Sequence, residues 1–416
     1  MSAEKNRSKG LKKSARNSET RRKEIFLSRE VSDIAVEKWA NLGTAIAHLD
    51  GKTVFVKAGI PGEFVKIKIE KETSSLIWGT VISVSRAAQS RISSDCASFP
   101  ECGGCSYRHI SYDDELKIKE ELLLETLDGI GKLDRSRIPE LKVLSGPSEA
   151  YRNTAQIKLQ KSGQSLIAGF FKENSNTLVK FPTDGCKHLP NEMNEYIKNS
   201  LEKKIVKNRI KEFELRFSSG EVIEYKEEAV DIGPYLEERI RWKIPPGGFT
   251  QVNRFLIEPW LQMIRSWIPE KSGAILELYC GAGLISLSIS SKIEKLFGFE
   301  LSNSSVLSAR ENAKRSGKLN LEFQTLNLER NFPSSEVASQ AAIWILNPPR
   351  SGASKKVLHS IEEYKPPTLI YSSCNHTTLA RDLRELTLIG YRIRNIALVD
   401  FFPRTQHFEI LVQTIL

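Results

Sequence analysis

At 416 residues the chain is too long for one compact core and calls for about two to four domains. With 40% hydrophobic and 27% charged residues it has the balance of an ordinary soluble globular protein, which excludes a mostly disordered chain, a collagen-like fibre and a small disulfide scaffold. The net charge of +10 is unevenly placed, because residues 1–23 carry nine Lys/Arg against Glu4 and Glu19, a local charge of +7.

This basic start, taken as a tail over 1–28, has too few apolar residues to fold and no hydrophobic run resembling a secretory signal. It reads either as a solvated tail or as an electrostatic tether to nucleic-acid phosphates. Residues 29–88 follow as short strands between turns. Asp50-Gly51 precedes Thr53-Val54-Phe55-Val56, Pro61-Gly62 precedes the alternating Phe64–Ile69 segment, and Trp78–Val84 supplies another strand. About five strands in this length predict a small antiparallel barrel of the OB type, with contact to RNA expected.

Three cysteines, Cys96, Cys102 and Cys105, crowd the next loop, and a fourth, Cys186, follows after 80 intervening positions. A cytoplasmic, reducing location is expected, so a disulfide framework is not. Four thiolates suit zinc or a four-iron cluster, and spacing alone leaves that choice open. Apolar positions Leu116, Ile118, Leu122–Leu124 and Leu127 predict a helix near 112–130, which could pack on the C-terminal domain. Strands return to about residue 248, with hairpins at Ser162-Gly163 and Ser219-Gly220, and 89–248 is taken as one central domain.

From 249 to 416, helices alternate with apolar strands at Ala274–Tyr279, Leu296–Phe299, Ala342–Leu346, Thr368–Ser372 and Arg394–Phe401. That rhythm predicts an α/β fold, a doubly wound Rossmann-like sheet binding its ligand at the strand carboxyl ends. The apolar stretch Gly273–Ser290 contains Glu277, three glycines and three serines, so it reads as buried strand and turn rather than membrane span.

Leu276–Gly283 places Gly281 and Gly283 directly after a strand, where the backbone can approach a ligand closely. Glu300 ends the next strand, 17 residues after Gly283, where a carboxylate can accept both ribose hydroxyls. The third glycine of a dinucleotide fingerprint is missing, which favours S-adenosylmethionine over NAD. Asn347-Pro348-Pro349-Arg350 closes a later strand and is a turn suited to presenting polar groups to a target. It also resembles the motif of base amino-methyltransferases, although these usually carry an aromatic residue where Arg350 stands. Cys374 follows the next strand within Ser372-Ser373-Cys374-Asn375, and Glu409 opens the last apolar run. Either could be structural if read alone.

Taken together, Gln251-Val252-Asn253, Cys280–Gly283, Asn347–Arg350, Ser373-Cys374-Asn375 and His407-Phe408-Glu409 resemble, in order and spacing, the RNA 5-methyluridine (uracil-C5) methyltransferases. The Cys96, Cys102, Cys105 and Cys186 set is similar to that family's iron–sulfur branch, and residues 29–88 to its RNA-binding TRAM domain. The resemblance implies Cys374 as nucleophile and Glu409 as general base; because a free thiol is mostly protonated at neutral pH, the site is expected to lower that pKa, with Arg350 in support. It implies Gln251, Tyr279, Glu300, Asn327 and Asn347 around S-adenosylmethionine, and a 4Fe-4S cluster on the four cysteines. The implied target is uracil C5 in structured RNA, 23S ribosomal RNA ahead of transfer RNA, with no DNA or membrane partner and a monomeric enzyme. Three departures stand out: Asn347 where the family usually has Asp, His376 where it usually has Pro, and Leu284 where a relative carries Asn. The alternatives are an amino-methyltransferase using the Asn-Pro-Pro-Arg turn, and an RNA-binding protein whose catalysis has lapsed.

Overall fold

The computed structural model describes residues 29–163, 165–203, 210–225, 229–236 and 239–416. The basic tail lies outside the described residues.

Strands β1 (Arg29–Ala40), β2 (Thr44–Leu49), β3 (Lys52–Lys57), β4 (Phe64–Glu72) and β5 (Leu76–Arg86) close a barrel in the order β1-β2-β3-β5-β4. Alternation builds it: Val54, Val56, Val65, Ile67 and Ile69 fill the interior while Lys68 points out. Between β2 and β3, Asp50 and Gly51 are both left-handed (φ 50° and 74°), as a two-residue hairpin turn requires.

The cysteine loop leads into α1 (Tyr112–Gly129), whose first turn is capped by Ser111 accepting from the Asp114 amide. Leu123 and Leu127 of α1 share a core with Leu379, Ala380 and Leu383 further along the chain. β6 (Leu141–Leu144) follows, then β7 (Thr154–Ser162), β8 (Ser165–Phe171), β9 (Leu178–Lys180), α2 (Asn191–Lys203), β10 (Lys211–Ser218) and β11 (Glu221–Tyr225). Of these, five form an antiparallel sheet ordered β11-β10-β7-β8-β9, with hairpins at both expected turns. The hairpin β12 (Val230–Tyr235) and β13 (Ile240–Ile244) packs Ile232, Trp242 and Ile244 into the C-terminal core.

That core surrounds α3 (Ile257–Ser266), β14 (Ser272–Leu278), α4 (Leu284–Ile289), β15 (Ile293–Glu300), α5 (Asn303–Arg315), β16 (Leu321–Thr325), α6 (Ser335–Gln340), β17 (Ala341–Leu346), α7 (Lys355–Tyr364), β18 (Thr368–Ser373), α8 (His376–Leu388), β19 (Arg392–Val399) and β20 (Glu409–Ile415). Eight strands run β16-β15-β14-β17-β18-β20-β19-β6, with β14 to β18 parallel and β20 antiparallel to both neighbours. The strands are apolar on both faces because both are covered. Ile343 and Ile345 face one core while Trp344 and Leu346 face the other. Two strands sequence patterning did not single out belong here: short β16, and β6, which pairs with β19 from within the central stretch. Strand order reverses between β14 and β17, the place where doubly wound sheets bind ligands. Among the described residues, no helix is long and apolar enough to cross a membrane.

Candidate active site and cysteine cavity

A cavity of about 650 Å³ opens at this reversal, above the carboxyl ends of β14, β15, β17 and β18. Nine of the sequence-derived residues line it together: Gln251, Tyr279, Gly281, Glu300, Asn327, Asn347, Arg350, Cys374 and Glu409. Gly283 sits just behind the wall as the cap of α4, left-handed at φ 83°. A Cβ there would come within 3.1 Å of the Phe323 ring and 3.2 Å of Ala309 Cβ, so both its conformation and its space demand glycine. Glu300 is held by backbone donors, with the Gly281 amide 3.2 Å from one carboxylate oxygen and the Ser302 amide 2.9 Å from the other. The Tyr279 hydroxyl accepts from the Ser354 amide at 3.2 Å. Gln251 is buried, and its carbonyl accepts from Asn153 Nδ2, which fastens this segment to the start of β7.

The turn after β17 is tied to the segment that carries Cys374. Asn375 Nδ2 donates to the Arg350 carbonyl at 3.0 Å, and Thr378 Oγ1 donates to the same oxygen at 3.2 Å. Asn375 also caps α8. Beside it, Glu409 is buried and accepts a 2.7 Å hydrogen bond from Ser372 Oγ. Burial pushes its carboxyl up to about 7, with the Ser372 hydroxyl acting against the rise. A base poised there is half ionised at neutral pH.

The Cys374 thiol departs from expectation. It is held above its ordinary range, first by burial and then by the negative charge of Glu409, while Arg350 only opposes the rise. Arg350, itself exposed, lowers the thiol but does not outweigh desolvation plus a neighbouring carboxylate. Cys280 is buried in the glycine loop and held well above its ordinary value, the behaviour of an inert thiol.

Sequence reading passed over two polar residues here. In the sequence Glu277 argues only against a membrane span, yet it lines the cavity, is buried beside the Ser286 hydroxyl and is pushed up to about 8 by burial. Ser372 was read only as part of a strand. An acid within an otherwise apolar strand just before the glycines is the available signal for the first; only three-dimensional register reveals the second, which pairs with Leu411 of β20. His376 stacks on Phe408 at 5.2 Å, with Nδ1 2.9 Å from the Thr126 hydroxyl, so this departure is absorbed into packing against α1. Leu284 opens α4 at the cavity wall.

Elsewhere, Cys96, Cys102, Cys105 and Cys186 line one small cavity of about 20 Å³ walled by Phe99, Phe170 and Phe181. All four are free thiols. Burial raises Cys105 and Cys186 to about 12 and about 11. Arg108, buried and bidentate to Asp95 at 2.7 and 2.8 Å, donates through Nε to Cys105 Sγ at 3.1 Å. Among the described residues, no three His, Cys, Asp or Glu side chains are grouped closely enough to hold a metal ion.

The model of the family described as tRNA (uracil-5-)-methyltransferase matches residues 187–414, and that of the TRAM domain matches residues 27–77. A protein of Leptospira interrogans (serovar Lai), named an uncharacterized RNA methyltransferase, is 45% identical over 385 residues, covering 90% of this chain and 92% of its own. The chain belongs to the tRNA (uracil-5-)-methyltransferase family. This methyltransferase is also 28% identical over 450 residues to an uncharacterized RNA methyltransferase of Clostridium acetobutylicum, covering 91% and 96% of the two chains. Its fold is that of the Pyrococcus abyssi tRNA (uracil-54, C5)-methyltransferase, solved in complex with S-adenosyl-L-homocysteine, with a TM-score of 0.71 at 20% identity over 92% of this chain and 99% of that one. The protein is an S-adenosylmethionine-dependent RNA methyltransferase with a TRAM barrel before a Rossmann-like domain.

Proposed function

We propose that the enzyme methylates carbon 5 of uracil in structured RNA through a covalent adduct on Cys374, with Glu409 as the base. The observation that carries this reading is that both residues open on the same cavity as the glycine loop and Glu300. When bound, S-adenosylmethionine supplies an electrophilic methyl group. The residues around it suit that guest: Glu300 is placed for the ribose hydroxyls, and Gln251, Tyr279, Asn327 and Asn347 line the rest of the cavity. Carbon 5 of uracil is too weak a nucleophile alone, and addition of the Cys374 thiolate to carbon 6 makes it an enolate carbon able to take the methyl group. Glu409 then removes the carbon-5 proton, the sulfur–carbon bond at carbon 6 breaks, and the ring double bond re-forms. The target base must leave its stack to reach these groups. Arg350 opposes the rise in the thiol pKa and would sharpen thiolate formation once the cavity is filled.

The barrel at 29–88 serves in this reading as the RNA-binding domain, 89–248 carries the cysteine site, and 249–416 performs the transfer. Four thiols around a shared apolar cavity, one bonded by Arg108, suit a 4Fe-4S cluster. Four thiolates would also suit a single zinc ion, so the metal content of the purified protein decides between the two. Cluster chemistry is not required for the reaction, since methyl transfer moves no net electrons, so its role is structural. We place the enzyme in the cytoplasm, acting as a monomer on ribosomal RNA of the 23S type. Transfer RNA is the second reading, carried by the description of the matched family. Mapping 5-methyluridine in ribosomal and transfer RNA from a deletion strain tests the target. Loss of one ribosomal 5-methyluridine supports the first reading, loss in transfer RNA supports the second, and no loss in either sinks both. Anaerobically purified protein should contain about four irons per chain; one zinc instead would overturn the cluster.

A further inference from the structure

The segment that delivers Glu409, residues 400–408, is clamped from two sides by buried polar contacts, and one side begins at the cysteine cavity. Cys105 Sγ lies 3.3 Å from His188 Nε2, and His188 Nδ1 lies 3.4 Å from the Tyr151 hydroxyl. That hydroxyl donates to the Pro403 carbonyl at 3.1 Å. Tyr151 and His188 are themselves buried. The residues after Cys105 reach the same segment directly, since the Ser106 and Tyr107 amides donate to the Arg404 carbonyl at 2.8 and 3.3 Å.

Arg404 is left-handed at φ 65° and buried. A non-glycine residue keeps that conformation only where its surroundings impose it. Here they do so through its amide, donating to Glu115 Oε1 at 2.7 Å, and through Nη2, donating to the Ile110 carbonyl at 2.8 Å. On the opposite side, Lys119 Nζ joins Glu115 Oε1 at 2.7 Å to Asp400 Oδ1 at 2.8 Å. Two cations and two carboxylates are thus buried together with their charges balanced, an arrangement that tolerates little displacement because any separation leaves a buried charge unpaired.

We infer that Tyr151 and Arg404 are positioning residues through which the cysteine site holds the 400–408 segment, and so places the Glu409 carboxylate for removal of the carbon-5 proton. The inference rests on Glu409 acting as the base, as proposed above. Disturbing the clamp should slow the step that Glu409 performs, in which the proton passes to the carboxylate and the thiolate leaves carbon 6. Attack by Cys374 and binding of the methyl donor should be left largely intact.

The experiment compares full-length wild type, Tyr151→Phe, Arg404→Lys and Cys105→Ser, using RNA purified from a deletion strain as substrate. Tyr151→Phe removes one hydroxyl and keeps the ring, and thermal melting verifies that each variant is folded. For Tyr151→Phe, kcat should fall roughly tenfold or more, while KM for RNA and the calorimetric Kd for S-adenosylmethionine stay within about twofold of wild type. A denaturation-resistant protein–RNA band should accumulate. Hydrogen exchange read by mass spectrometry should quicken in the peptide spanning 400–408 in both Tyr151→Phe and Cys105→Ser, with the peptide spanning 272–300 unchanged. Arg404→Lys should give the same kcat-against-KM split, because lysine keeps the charge but loses the second donor to Ile110. Unchanged kcat and unchanged exchange at 400–408 in Tyr151→Phe would overturn the inference, as would a fall in activity carried by KM for RNA alone. A Glu409→Gln variant that keeps the wild-type kcat would instead overturn the reading on which the inference rests.

Discussion

Ser372 Oγ donates a 2.7 Å hydrogen bond to Glu409 Oε1, and Trp260 Nε1 donates in turn to Ser372 Oγ at 3.3 Å. All three side chains are buried. The serine stabilises the ionised form of a carboxyl that burial otherwise drives toward its neutral form.

Replacing Ser372 with Ala should raise the Glu409 pKa further above about 7. Glu409 works as a base only when ionised, so activity is present above its pKa and lost as pH falls through it. The acid limb of the kcat/KM profile should move upward by roughly one pH unit, the scale of one hydrogen bond to a charged group. A limb that stays in place would show that Ser372 does not tune the base.

Glu409 and Cys374 are linked electrostatically, since the carboxylate is the second cause, after burial, of the raised thiol. In Glu409→Gln that charge is gone and the thiol pKa should fall. Alkylation of the Cys374 peptide by iodoacetamide, followed by mass spectrometry against pH, should show its midpoint moving to lower pH. The same variant should trap RNA as a denaturation-resistant adduct that disappears in the double variant with Cys374→Ala. An unimpaired turnover rate in Cys374→Ala alone would sink the covalent route.

Much of this site was legible before the fold because it is built at the ends of strands. Glycines after an apolar run, an acid ending the next strand, a proline turn and a cysteine each closing a later strand are local patterns, and a parallel sheet gathers such ends at one edge. Register and burial were not legible. Ser372 is one more strand residue in the sequence, and only its pairing with Leu411 of β20 brings it to Glu409. The sign of the Cys374 shift depended on which of Arg350 and Glu409 is desolvated, and a one-dimensional pattern does not carry that. Strand β6 escaped notice because its partner β19 lies some 250 residues further along the chain. Nothing in the apolar spacing of 112–130 marks Lys119 and Glu115, which are buried against Asp400 and Arg404.

Glu277 should make stability depend on pH. Its carboxyl is pushed up to about 8 by burial, against about 4.3 for a free glutamate. The folded state then holds the proton more tightly than the unfolded one, so stability is lost as pH rises from the free value through about 8. Gln cannot ionise and escapes that loss. The melting temperature of Glu277→Gln minus that of wild type should therefore grow more positive between pH 6 and pH 9, by roughly 2–5 °C. Taking the difference removes the contribution of Glu409, which both proteins share. A constant difference across that range would mean Glu277 is not titrating.

The two glycines of the loop should fail in different ways. Both are left-handed, Gly281 at φ 54° and Gly283 at φ 83°, so Ala at either costs about 1–2 kcal/mol of backbone strain. A Cβ on Gly281 meets nothing within 4 Å, and this residue lines the donor cavity. A Cβ on Gly283 meets the Phe323 ring and Ala309 where α5 and β16 pack behind the loop. Gly283→Ala should consequently lower the melting temperature more than Gly281→Ala does, because steric displacement adds to the strain. Gly281→Ala should do its main damage to binding, since its methyl group would occupy space the donor needs, and the calorimetric Kd for S-adenosylmethionine should weaken by on the order of tenfold or more. Equal melting temperatures would remove the crowding at Gly283 as a cause. An unaltered Kd in a folded Gly281→Ala protein would show that the donor does not approach the backbone at this turn.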